Sequence, residues 1–582
     1  MKAFIDILEE RISAAMAAAA GVQSCSAIVK PATDPRFGDY QVNGIMSLAK
    51  ELKTNPRKLA EDVVKKLDVG DICQPAEIAG PGFINLRLKT GAVAKALLKI
   101  NEDAEGRLGI EKTAQPKTVV VDFSGPNIAK QMHVGHLRST ILGDSICRIL
   151  EFLGHKVIRQ NHIGDWGTQF GMLIMHMHEQ CGRFQIADLE QFYRDAKSEF
   201  DNDPVFAEQA RKRVIDLQNE EEYTIELWHN IVEQSRKHYQ PIYDTLGVNL
   251  HEENERGESF YRDMLSVVVN DLKSNNLAVE SDGAVCVFPE GFKRKDGEAL
   301  PFIIQKSDGA YLYATTDLAA LRYRVKQLKA DKILYVTDAR QKLHFEMLFA
   351  VGRMAGWAAA ETELEHVMFG SVLGEDGRPL KTRSGENVKL KDLLAEAVER
   401  ARSIVAEKNP DLPQDRKDRI AEAVGIGAVK YADYSNNRTS DYIFSFDKML
   451  AMDGNTAPYM QYAYARIKSI ERKAQTKAVD IATELAGITE LDLTKPAELD
   501  LGKHLIRYIQ AIRSAAVEYR PNYLTNYLYE LAQKFSVFYT NCPVLDAPAE
   551  KRPTRLLLCH LTANTIKNGL SRLLGIEVVE QM

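Results

Sequence analysis

Between residues 118 and 160 the sequence spells out a unit that few folds can accommodate. A β-branched run, Thr118-Val-Val-Val-Asp122, leads into a loop through Pro126, followed by a helical apolar pattern from about His136 to Leu153. Gly154 supplies a stop, and a second β-prone run follows at Lys156 to Gln160. Strand, helix and strand in about forty residues make a βαβ unit, whose two strands must lie parallel with the helix crossing over them. The pattern returns at Asp317 to Lys329 (helix), Lys332 to Val336 (strand) and Lys342 to Ala355 (helix), so the sheet resumes after an inserted segment that includes the charged helical block Phe184 to Asp244.

At 582 residues the chain is too long for one hydrophobic core, and three or four packed units are expected. Residues 1 to about 100 mix helical periods (Phe4 to Ala19, Asn55 to Leu67) with a short strand at Phe83 to Leu88. Asn101 to Lys117 is polar and reads as a surface connection. Beyond residue 387 the period is helical throughout, at Lys391 to Glu407, Arg416 to Asp433, Thr456 to Lys473, Gly502 to Glu518, Tyr523 to Tyr539 and Arg552 to Leu574. The expected architecture is multidomain α/β. A Rossmann-type parallel-sheet core (111–386, with an insertion at about 180–260) lies between a small N-terminal α/β domain (1–110) and a C-terminal all-α helical bundle (451–582), which is joined through a helical connection (387–450).

With 45% hydrophobic and 27% charged residues the composition is that of an ordinary globular protein. Seven cysteines occur without a single C-x-x-C pair, which suggests neither a disulfide framework nor a cysteine zinc site and fits a reducing cytoplasm. The Ala-rich run Ala14 to Val22 follows acidic residues and not a basic segment, so it reads as an amphipathic helix and not a signal peptide. A net charge of −6 provides no global attraction for nucleic acid, and any RNA contact has to be local.

The chemistry concentrates at His133-Val134-Gly135-His136, just after a strand and at the start of a helix. With 13 His and 36 Gly in 582 residues, H-x-G-H arises by chance about 0.02 times. A helix N-terminus offers unpaired N–H groups to phosphate, the glycine lets a nucleotide approach, and two imidazoles can donate as negative charge builds. The competing readings are a zinc pair, which needs a third ligand such as His176 or His178, and two surface histidines at a helix start.

The string Asp122-Phe-Ser-Gly-Pro-Asn127-Ile-Ala-Lys130-Gln-Met-His133-Val-Gly-His136-Leu-Arg138-Ser-Thr resembles the arginyl-tRNA synthetases, a class I family. So do Asn161-His-Ile-Gly-Asp165-Trp166-Gly-Thr-Gln169-Phe-Gly171, Phe37-Gly-Asp-Tyr40-Gln41 and the terminal Leu573-Leu-Gly575-Ile. The resemblance implies an arginine–tRNA ligase that consumes ATP, with Mg²⁺ carried by the nucleotide and no zinc. Its partners would be L-arginine, ATP and the tRNA for arginine, without a membrane, and the chain is expected to be a monomer. It further implies catalytic roles for Lys130, His133, His136 and Lys381, and ATP binding by His133, Gly135, His136, Lys381 and Arg383. The lysine-loop signature K-M-S-K-S is represented here by Lys381-Thr-Arg383-Ser-Gly385, which lacks the usual second lysine; in such members Lys130 is held to supply that charge. Family correspondence puts Tyr313, Asp317 and Gln341 around the guanidinium of arginine, and Asp122 and Asn127 near its ammonium and carboxylate. From sequence alone the N-cap reading of Asp317 is favoured, and Tyr313 reads as strand packing. For tRNA the resemblance points to Phe37, Tyr40 and Gln41 in the N-terminal domain. Tyr459, Tyr462 and Arg466 in the helical domain offer groups suited to splayed bases, and the basic residues of Lys551 to Met582 could form a positive face. Two alternatives carry different functions: a catalytically silent RNA-binding paralogue and a small-molecule nucleotidyltransferase that shares H-x-G-H.

Overall fold

A computed structural model describes residues 2–180, 188–381 and 387–582. The core elements are β1 (Thr118–Asp122), α1 (Val134–Phe152), β2 (Lys156–Gln160), α2 (Tyr313–Lys326), β3 (Lys332–Tyr335), α3 (Lys342–Met354) and β4 (Glu363–His366). The four strands are parallel in the order β4-β3-β1-β2, with Asp122 level with Tyr335 on one side and Gln160 on the other. Val119, Val120 and Val121 are all buried, as a strand covered on both faces requires. From β1 the chain crosses to one side, and from β3 it crosses to the other. The carboxyl ends of β1 and β3 therefore open a crevice at the switch point, the usual ligand position in such sheets.

The insertion between β2 and α2 has two parts. Helices Gln169–Glu179, Leu189–Asn202, Pro204–Gln218 and Glu222–Leu246 come first; the last three fall in the charged block expected from Phe184 to Asp244, whose residues 184–187 lie outside the described ones. A helix at Arg262–Ser274 and an antiparallel sheet of Ala278–Ser281, Ala284–Val287 and Phe302–Gln305 follow, and these strands together with β4 carried no strong signal in the sequence. The N-terminal residues form a four-stranded antiparallel sheet in the order Val29–Pro31, Tyr40–Val42, Phe83–Leu86, Glu77–Ala79, packed with four helices.

In the last third, two expected helices differ from the periodic reading. Gly502 to Glu518 is broken into Pro496–Leu505 and Tyr508–Glu518, and Arg507 at the break reaches out to the Asp39 carbonyl at 2.9 Å. Arg552–Lys567 passes into a wider π turn at Asn568–Leu573, where Asn568 accepts from the Tyr508 hydroxyl at 2.8 Å. Apolar spacing alone registers neither event. Helices Leu390–Lys408 and Gln414–Tyr434 form a tight hairpin, in which a Cβ on Gly425 would come within 2.7 Å of the Val398 backbone.

The stretch from Asn101 to Lys117 is more than a surface connection. Arg107 is buried, donates to the carbonyls of Ile110 (2.9 Å) and Phe152 (2.5 Å), and lies 4.5 Å above the Phe152 ring. A run without periodic apolar residues can still be fastened by one stacked arginine.

Candidate active site

His133 is the N-cap of α1, with extended backbone, and its Nδ1 accepts from the Gly135 N–H at 3.1 Å. A Cβ at residue 135 would lie 2.8 Å from that same Nδ1, so glycine is what allows the imidazole to fold over the helix tip. His136 Nδ1 accepts in turn from the His133 N–H at 3.2 Å, and the two ring centroids are 4.2 Å apart. Burial, with the neighbouring His133 ring, holds His136 down at about 4; burial and Lys130 lower His133. Both rings are therefore neutral near pH 7. With each Nδ1 lone pair given to a backbone N–H, the remaining proton is assigned to Nε2, which makes each ring a donor.

The loop after β1 is pinned from several sides. Ser124 has φ +74°, its N–H donates to Ser139 Oγ at 2.9 Å, and its hydroxyl meets Thr140 at 2.9 Å and Tyr243 at 2.7 Å. Gly125 N–H donates to Asn161 at 2.9 Å. A left-handed serine persists because its neighbours over-determine it.

Beside this loop a cavity of about 640 Å³ is lined in part by Asp122, Gly135, His136, Glu258, Tyr313, Asp317, Asp338, Gln341 and His344. Three of its carboxylates already have a partner. Asp122 accepts from the fully buried Arg324 at 2.8 Å, and Arg324 Nε donates to Gln160 at 2.6 Å. Asp317 meets His344 Nε2 at 2.6 Å, and Asp338 holds Arg340 through two contacts of 2.8 Å. The fourth is Glu258, in the turn Glu258–Tyr261. Burial, together with the charges of Asp165 and Asp317, pushes its carboxyl up to about 7. A wall with two like-charged groups in mutual repulsion is suited to receive a cation.

Among the residues singled out from sequence, the cavity gathers Asp122, Gly135, His136, Tyr313, Asp317 and Gln341, with His133 at its edge through the paired rings. Asp317 lies one turn inside α2, which begins at Tyr313, so it is not an N-cap; Tyr313 is a helical residue 67% exposed, its ring 5.2 Å from His344. Asn127 is exposed, bridges to Gly164 and does not line the cavity. Lys130 and Lys381 stand outside the walls. The first has its ammonium 4.7 Å from the Tyr193 ring, and the second pairs with Asn387 at the base of a hairpin; Arg383 lies outside the described residues. Glu258, Arg324 and His344 escaped the sequence reading because each acts through the fold: no local motif marks a residue whose partner is 27 to 202 positions away.

Among the described residues the zinc pair finds no third ligand. His176 is held by Glu199 at 2.6 Å and Gln180 at 2.8 Å inside the helical insertion, and among the described residues no group of three or more His, Cys, Asp or Glu could hold a metal ion.

The RNA candidates divide. Phe37 is 42% exposed, but Tyr40 is fully buried beneath the Arg507 guanidinium (5.3 Å), with Gln510 donating to its hydroxyl at 3.0 Å, and Gln41 is tied to Asn85 at 3.0 Å. Tyr40 thus serves a domain contact and presents no ring to a polynucleotide. On helix Ala457–Thr476, Arg466 lies over Tyr462 (4.8 Å) and Tyr539 (5.5 Å), while Tyr459 stands 5.7 Å from Tyr529, a cationic and aromatic cluster on two helices. Of the basic residues from Lys551 to Met582, Lys567 and Arg572 are exposed and the rest are paired. Lys551 pairs with Asp492, Arg552 with Glu484 and the buried Arg555 with Glu498, while Arg572 stacks on Phe152.

Comparison with known proteins divides the chain into three matched stretches. Residues 6–88 match the arginyl tRNA synthetase N terminal domain, 100–446 the catalytic domain of tRNA synthetases class I (R), and 460–582 the DALR anticodon binding domain. Arginine–tRNA ligases from a Synechococcus strain and from Hahella chejuensis are 51% and 50% identical, each over 99% of both chains. Among solved structures, the arginyl-tRNA synthetase of Plasmodium falciparum superposes over the full length of both chains with a TM-score of 0.85 at 33% identity, and that of Thermus thermophilus with 0.80 at 26%.

Proposed function

The chain belongs to the arginyl-tRNA synthetases of class I, and from that membership we propose which of its residues carry the reaction. It is an arginine–tRNA ligase, which uses ATP to join arginine to its tRNA. Relatives at about half identity along the whole chain leave no support for a silent paralogue.

In the first step the arginine carboxylate attacks the α-phosphorus of ATP and pyrophosphate leaves, a displacement that needs positioning and charge stabilisation and no protein nucleophile. We assign the phosphate contacts to His133 and His136 through their Nε2–H donors and to the α1 tip at Gly135, with Lys130, Lys381 and Arg383 adding positive charge, as the family resemblance implies. The observation that carries this reading is the pair of backbone N–H bonds to the Nδ1 atoms, which leaves Nε2 of each ring as the donor. Mg²⁺ is assigned to the nucleotide's own phosphates, as the family resemblance implies.

For arginine, Asp317 and Glu258 provide the negative charge that a guanidinium neutralises, with Tyr313 and Gln341 as neutral partners; Asp122, held by Arg324, faces the ammonium. Asn127 is assigned to the carboxylate only if its loop turns inward on binding. The terminal ribose of tRNA then takes the arginyl group from the adenylate. For tRNA we propose Phe37 on the N-terminal domain and the cluster of Tyr459, Tyr462 and Arg466 on the helical domain. Residues 1–110, 111–386, 387–450 and 451–582 would act as tRNA-contacting domain, catalytic core, connection and anticodon-binding domain of a cytoplasmic monomer. Among the described residues no helix is long and apolar enough to cross a membrane.

Arginine-dependent ATP–pyrophosphate exchange, measured with and without tRNA, tests the assignment. His136→Ala should lower kcat by about two to three decades with little change in the arginine KM. Unchanged kcat would remove His136 from the phosphate site.

A further inference from the structure

Arg138 stands two residues beyond His136, and its side chain is 1% exposed. Its Nε lies 2.9 Å from an oxygen of Asp433, which is fully buried on helix Gln414–Tyr434. Its Nη1 donates to the carbonyls of Gly370 (2.8 Å) and Ser440 (3.0 Å), and its guanidinium is 5.2 Å from the Tyr442 ring. An ion pair this dry is no efficient way to gain stability, since desolvation offsets most of the attraction and an apolar side chain would pack as well. A planar fork, in contrast, fixes several directions at once.

Those directions lead to the lysine hairpin. Gly370 follows the end of β4; from it Val372–Leu373 pairs with Tyr442–Ile443, Leu373 bridges Pro379, and the chain reaches Lys381. The returning arm is held by the tip of α1 itself, with Val134 N–H donating to Val388 at 2.9 Å and Leu390 N–H to Met132 at 2.9 Å. Both arms of the hairpin are thus tied to the first turns of α1, the return by backbone and the outgoing arm, at Gly370, by Arg138 Nη1.

We propose that Arg138, set by Asp433, is a positioning residue for adenylate formation: it holds the outgoing arm of the Lys381 hairpin in register with the histidine-bearing helix tip, so that both reach one nucleotide together. This rests on the phosphate roles given above to His133, His136 and Lys381. Because Asp433 belongs to a helix that packs on the C-terminal domain, the register also depends on that domain's seating.

The test is a double-mutant cycle in the full-length enzyme with Arg138→Lys, which keeps the charge and loses the fork, Asp433→Asn, which keeps the shape and loses the charge, and Lys381→Ala. ATP–pyrophosphate exchange gives kcat and both KM values, and thermal melts are run in parallel. Arg138→Lys and Asp433→Asn are each expected to lower kcat by about 10- to 100-fold, as displacement of a catalytic group by an ångström does, with the arginine KM changed less than about threefold. Combined with Lys381→Ala, neither should slow the enzyme further, because both act through that lysine. Fully additive losses, or a fall in melting temperature with kcat intact, overturn the proposal, and so does failure of both single variants to fold, which would make the pair a stability device. A normal kcat in Lys381→Ala overturns the underlying reading of the lysine instead, so the two failures are distinguishable.

Discussion

Glu258 is the residue whose protonation most directly reports on substrate. Its carboxyl titrates at about 7 in the folded protein against an ordinary 4.5, so between those values the folded chain holds a proton that the unfolded chain has lost. Stability from this group is therefore full below about pH 4.5 and falls as pH rises to 7. A guanidinium needs the ionised form, so arginine affinity should weaken about tenfold per unit as pH drops below 7, read as the arginine KM across pH 5.5 to 8.5. Glu258→Gln should flatten that profile, raise the KM at pH 8 by at least about tenfold, and melt higher than the parent at pH 8 but not at pH 5. A pH-independent KM in the parent enzyme would count against this pairing. The histidine tip was legible in the sequence because its chemistry is local: cap, glycine and second imidazole lie within four consecutive residues. Glu258, Arg324 and His344 were not, since desolvation and partnership across the cavity decide what they do. Tyr40 misled for the converse reason, because an aromatic residue in a signature string gives no sign of whether its ring will be covered.

Elements were legible where one period ran undisturbed. β1, α1, β2, α2, β3 and α3 follow from their patterns to within a few residues, apart from the start of α2, which comes four residues earlier than apolar spacing suggests and thereby places Asp317 on the cavity wall. The short antiparallel strands were missed because four residues are too few for alternation to stand out, and the broken and widened C-terminal helices because their interruptions answer to distant partners. The hairpin of Leu390–Lys408 and Gln414–Tyr434 offers a test at this scale. Its backbones meet at Gly425, where even a methyl group has no flexible neighbour to displace. Gly425→Ala should cost about 1–3 kcal/mol, measured by denaturant unfolding, and should also lower kcat by moving Asp433 eight residues on in the same helix. A neutral change in both would show that the two helices separate freely.

At the scale of the molecule the N-terminal domain is seated on the C-terminal helices. Asp39 pairs with Lys503 at 2.9 Å and its carbonyl accepts from Arg507 at 2.9 Å, Tyr40 accepts from Gln510, and Asp6 pairs with Arg513. Asp39→Ala leaves Lys503 without its close partner at a largely buried contact, an expected loss of about 3–5 kcal/mol from that interface. Faster hydrogen exchange in Tyr40–Val42, with the core strands unchanged, would report it; unchanged protection would show that the contact is not held by charge. Sequence order conceals this arrangement, since the partners are separated by more than 460 positions. Arg107 and Arg572, both against the Phe152 ring, make a second tie between the beginning, middle and end of the chain. Topologically the enzyme is a closed ring whose covalent link between first and second domains is redundant: severed in the exposed stretch between Ala114 and Gln115, the two co-expressed fragments should still co-purify and charge tRNA.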